Sequence, residues 1–137
     1  MRAIFLVASV ALMRVATAEQ CPAGFEEFIG AFESSAEFQV AHSKYPLSYR
    51  YLDVDSGGEP KSVQVAVTRD NLGEFAAVQF PSSAQRAQES IQQAVTAPNA
   101  KTRIVRLWLE NSDFEIKYVF EKTSACWQLI RVEDGVS

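Results

Sequence analysis

Apolar residues follow two different periods along this chain. Phe25, Phe28, Ile29 and Phe32 recur at helical spacing, while Glu26, Glu27 and Glu33 fall off the stripe. This predicts an amphipathic helix opened by Pro22, since proline is welcome in a first helical turn. Ser34 and Ser35 end it and offer a cap to a second helix, with Phe38 and Ala41 turned inward. Pro46 disfavours helix at Tyr45, so the second helix should stop near Ser43. From Leu47 the period becomes two. Leu47, Tyr49 and Tyr51 alternate with Ser48, Arg50 and Leu52, and Val63, Val65 and Val67 alternate with Ser62, Gln64 and Ala66. That reads as a hairpin with a long loop through Asp55, Gly57, Gly58 and Pro60. Asp70 to Ala77 reads as a short helix burying Leu72 and Phe75, and Pro81-Ser82-Ser83 caps another from Ala84.

Beyond Glu89 the chain should become extended, although Ser90 to Thr96 suits helix and strand alike. Thr102–Leu109, Phe114–Glu121 and Cys126–Glu133 then read as three strands. Turns this short demand antiparallel neighbours. In the last strand, simple alternation puts Trp127 and Leu129 on one face, Ile130 and Val132 on the other. A sheet of this kind carries helices on one side and turns its other side to a pocket, a partner or a second copy.

The first residues change the picture. Arg2, an apolar run from Ala3 to Met13 and the small residues Ala16 and Ala18 form the three parts of a secretory signal, with cleavage expected after Ala18. The expected division is therefore a signal peptide at 1–18 and a single domain at 19–137. Export, to the periplasm or the medium, allows Cys21 and Cys126 to pair, and they are the only two cysteines. Glu19 and Gln20 stand where a lipoprotein signal wants small or apolar residues, so Cys21 reads as free of lipid. The whole chain carries −4, and the leader holds two arginines and no acid, so the domain left behind is more acidic still. That balance argues against nucleic acid and against anionic membrane surfaces as partners, and no later run reaches transmembrane length.

The end of the chain runs Phe114-Glu115-Ile116-Lys117-Tyr118-Val119-Phe120-Glu121, a turn, then Trp127 through Asp134. It resembles the closing hairpin of the nuclear transport factor 2-like (cystatin-like cone) superfamily, whose last strand typically begins with tryptophan and ends in an acidic pair. Phe25-Glu26-Glu27-Phe28, Phe38-Gln39 and Tyr45-Pro46-Leu47 resemble a family of exported bacterial domains of unknown function within it. The resemblance implies an α+β fold: N-terminal helices on a curved antiparallel sheet of about five to six strands, cone-shaped. It carries over no catalytic residues, and this superfamily hosts enzymes, binding modules and scaffolds alike.

Candidate chemistry is sparse. His42 is the only histidine. Pairing both cysteines leaves too few ligands for zinc, and no Gly-x-Ser-x-Gly or calcium-loop pattern occurs. Gly57-Gly58 sits in a hairpin rather than before a helix, so it is no phosphate loop. Asp53, Asp55, Glu133 and Asp134 read as turn and strand-end acids. Arg50, Arg103, Arg106, Lys117 and Arg131 lie on or beside strands. If some share a concave face with His42, Tyr49, Tyr51 and Trp108, they line a pocket for a small anionic or aromatic ligand. Cross-strand ion pairs account for the same residues.

The leading expectation is an exported, non-enzymatic binding or interaction domain with no metal or cofactor. Its partner is a small molecule or a secreted protein, and a homodimer through the sheet face is one arrangement. Two alternatives stand beside it: a small isomerase or hydrolase with His42 as general base, and an envelope inhibitor or immunity protein.

Overall fold

The computed structural model describes residues 21–54, 57–124 and 126–135. The expected leader at 1–18, the expected mature terminus Glu19 and the loop residue Asp55 lie outside them. Helix α1 (Phe25–Ser34) buries Phe28 and Phe32, and the Ser35 side chain caps α2 (Ala36–Ala41) by accepting from the Phe38 N–H. His42 closes α2, and strand β1 (Ser43–Asp53) starts at once. The strand therefore begins four residues before Leu47 and passes through Pro46, whose peptide bond with Tyr45 is cis. Strand β2 is Lys61–Val67.

The expected helix at Asp70–Ala77 is instead two 3-10 turns, Leu72–Glu74 and Ala76–Val78, and Leu72 and Phe75 are only half-buried. No run of i+4 bonds spans Phe75, whose N–H returns to the Leu72 carbonyl. Helix α3 (Ser83–Gln88) follows, capped by Ser82. The ambiguous stretch resolves as strand β3 (Gln92–Asn99). Strands β4 (Thr102–Trp108), β5 (Glu115–Thr123) and β6 (Cys126–Asp134) complete the meander.

The sheet order is β2-β1-β6-β5-β4-β3. A hairpin and a four-stranded meander meet along a parallel seam between β1 and β6, so the sheet is mixed rather than purely antiparallel. Neither unit announces that seam, because it joins the start of the domain to its end.

Helices and 3-10 turns cover one face of the sheet. Across it run Tyr49, Val132, Tyr118 and Val105 in register, all buried. Phe120 meets Phe28 and Phe32 edge-on, and those two rings lie tilted against each other, with all three ring centroids 5.2–5.8 Å apart. Phe25 is half-buried rather than buried, packed on Trp127 at the rim. One expectation of parity fails. Phe120 faces Leu129 and Val119 faces Arg131, so Ile130 is an extra residue in β6. This bulge flips the alternation, and Trp127, Leu129 and Val132 all point into the core.

Candidate functional site

The two cysteines meet as expected. Cys21, just before α1, is disulfide-bonded to Cys126 at the start of β6, with Cα atoms 5.5 Å apart. His42 lies against this bond, Nδ1 3.2 Å from the Cys126 sulfur, with its ring on Phe38 and edge-on to Phe28. It is 5% exposed. Ligand-type atoms of Cys21, His42 and Cys126 all lie within 4.8 Å of one another. The sulfurs, joined to each other, keep no thiolate to offer a metal. His42 is thus a packed residue at a helix end rather than a surface one.

The other five candidates divide between the two faces of the sheet. Arg50, Arg106 and Trp108 stand on the open face, where Arg50, Glu133, Lys117 and Arg106 form one cross-strand row. Arg106 stacks over the Trp108 ring at 4.2 Å and pairs with Glu115 at 3.1 Å; Lys117 also approaches Glu115, and Arg131 pairs with Glu133. The Arg106 hydrogen bond, with both nearby cations, holds the Glu115 carboxyl below its usual range. These groups answer one another, as in the cross-strand reading. Arg103 lies over Trp127 on the helix side instead. Tyr49 and Tyr51 point to the covered face, one residue out of phase with Arg50. The Tyr49 hydroxyl donates to Asp134 at 3.1 Å. Burial first, then the Asp134 charge, raises the Tyr49 and Tyr118 hydroxyls above the ordinary phenol value. No single concave face therefore gathers His42, Tyr49, Arg50, Tyr51, Arg106 and Trp108.

Among the described residues, two cavities on the covered face stand out, one to each side of the segment that carries Ala76 to Gln79. One, of about 380 Å³, lies between α1, α2, the start of β1 and the 3-10 turns. Phe32, Val40, Leu72, Phe75, Val78 and Leu129 give it apolar walls, and among the described residues Arg69 is its only charged lining residue. The Arg69 guanidinium sits over the Tyr45 ring at 5.2 Å. Burial raises the Tyr45 hydroxyl, and Ser43 and Arg69 partly offset this. The second is a wider groove of about 570 Å³ along β4 and β5. Its apolar wall includes Ile91, Leu107, Leu109 and Ile116, and among the described residues its only charged ones are the acids Glu89 and Asp134. His42 lines neither cavity. Arg69 is the residue that sequence patterning passed over, and Phe75, expected in a helix, lies between two 3-10 turns. The one local signal for Arg69 is a cation just ahead of the apolar Leu72 and Phe75.

This is a nuclear transport factor 2-like, cystatin-like fold: a cone-shaped α+β domain with few helices packed on a six-stranded mixed sheet. The chain is similar in structure to a nuclear transport factor 2-like protein from Bacteroides fragilis, with TM-score 0.58 and 18% identity over 80% of this chain and 46% of that one. It is also similar to a cystatin-like protein from Bacteroides caccae, with TM-score 0.55 and 19% identity over 85% of this chain and 80% of that one. The chain thus spans less than half the length of the first. At such identities the likeness defines fold and transfers no chemistry. No protein-family model matches the sequence, and no curated protein does.

Proposed function

We propose that this is an exported, non-enzymatic binding domain and that its ligand sits in the 380 Å³ cavity. The observation that carries the reading is the cavity itself. Its size falls in the range of small-molecule sites, its walls are apolar, and it offers one charged group for orientation. Catalysis by His42 finds no support, because the imidazole is packed against the disulfide and away from both cavities. Export is supported by the disulfide.

The open face favours a second reading, contact with another secreted protein or a second copy of this chain. Arg106 stacked on Trp108 is a pair of residue types enriched where surfaces recognise one another. Ligand-observed NMR with a mixture of small amphipathic probes separates the two. Ala76→Phe adds a ring at an exposed position of the cavity wall, so we expect it to abolish probe signals with the fold intact. Signals that survive Ala76→Phe and vanish in Trp108→Ala would move the site to the open face and overturn the first reading.

A further inference from the structure

We infer that the 380 Å³ cavity takes an apolar monocarboxylate, a medium-chain alkanoate or arylalkanoate, with the Arg69 guanidinium gripping the head group. The inference rests on the cavity being the ligand seat, and it names the chemistry of that ligand. It follows from which polar groups of the wall are already committed. Gln39 accepts from the Phe80 N–H through Oε1 and donates through Nε2 to the Phe32 and Phe80 carbonyls. The Ser43 hydroxyl donates to the Gln39 carbonyl, and the Tyr45 hydroxyl donates to the Val40 carbonyl. Among the described wall residues, apolar surface remains to meet the body of a ligand, with the exposed Gln79 amide and one cation to meet its end.

Arg69 is placed for that task. It is exposed at the rim, resting on the Tyr45 ring, and among the described residues it takes part in no ion pair. Among the described residues, no carboxylate lines this cavity. A guanidinium presents a planar fork that matches a carboxylate in two parallel hydrogen bonds. With no second cation in the lining, a dianion would leave one charge unmatched, and a neutral ligand would leave the fork unused. The neighbouring groove has the opposite sign, with Glu89 and Asp134 and no cation, so it repels the same head group. The two cavities are therefore sorted by charge, although each is mostly apolar.

The test uses octanoate, octanol and octylammonium, which share a tail and differ in the head. Each is titrated into the disulfide-bonded protein at fixed ionic strength and followed by amide chemical shifts. We expect octanoate to bind about tenfold more tightly than octanol, as one charge-assisted contact allows, with octylammonium weakest. Arg69→Gln should erase the advantage of octanoate and leave octanol binding intact. Arg69→Lys should restore part of it. Equal affinities for octanoate and octanol, or an octanoate advantage unchanged in Arg69→Gln, would overturn the carboxylate assignment while the cavity remained the seat. Failure of all three probes to bind would overturn the seat, and the assignment with it.

Discussion

Gln39 is a buried polar side chain that joins three parts of the chain. Its amide reaches back to Phe32 at 2.8 Å and across to both backbone groups of Phe80 at 3.0 Å, so it holds α1, α2 and the segment before α3 together beside the cavity. Gln39→Ala leaves the Phe80 N–H buried without that partner and opens a void. We expect a loss of about 2 to 4 kcal/mol by chemical denaturation. Gln39→Leu should recover little of it, because volume returns and the hydrogen bonds do not. Stability near the parent level in Gln39→Leu would show that packing alone holds this junction. Tyr49 and Tyr118 make a second claim at this scale. Their folded hydroxyls titrate above the ordinary value of 10, so the folded state keeps protons that the unfolded chain releases. Their contribution is complete below about pH 10 and declines as pH rises beyond it. Urea unfolding should give a flat stability up to about that pH and a fall above it, less steep in the Tyr49→Phe variant. A slope unaffected by that substitution would assign the alkaline loss to other groups.

At the scale of elements, the two helices, the β1–β2 hairpin and the last three strands were legible in the sequence. In each, the periodicity that shows the element also belongs to the face it buries. The exceptions have local causes. Asp70 to Ala77 carries helix-like spacing, yet it folds as two 3-10 turns that rest on the core through Val78 and wall a cavity with Leu72 and Phe75. The Ile130 bulge displaces Val132 from the face that alternation assigns it, because pairing with β5, not the strand's own period, sets the phase. Alternation did separate Tyr49 from Arg50 correctly. What it lacked was which face would be covered. The disulfide fastens the front of α1 to β6 across a sequence separation of 105, and for a loop of that length chain-entropy reasoning gives about 4 to 5 kcal/mol. Reduction, or the double substitution of Cys21 and Cys126 by serine, should therefore lower Tm by roughly 10 to 20 °C. A melting curve indifferent to reductant would mean that packing of Phe25 and Phe28 already holds the helix.

For the whole molecule, export is the claim the sequence made most directly. We expect mass spectrometry of the secreted or periplasmic protein to find a chain beginning at Glu19 with Cys21 free of lipid. A diacylglycerol adduct on Cys21 would contradict both the processing and the Cys21–Cys126 bond. The leader-like pattern at the N-terminus, the charge balance, the even pair of cysteines and the alternation of helix and strand can be read along the chain, so the sequence by itself set the compartment expected, the fold class and most elements. The tertiary structure alone decided three other things. It placed β6 beside β1 in parallel, because burying both edges of hairpin and meander is a contest between segments about eighty residues apart. It packed His42 against the disulfide instead of leaving it at the surface. And it set Arg69 over Tyr45 at the mouth of a cavity whose walls come from α1, α2, the 3-10 turns and β6. A cavity is the space left between elements after they pack. No residue pattern along the chain encodes it, and only the arrangement of the elements gives it a shape and a charge.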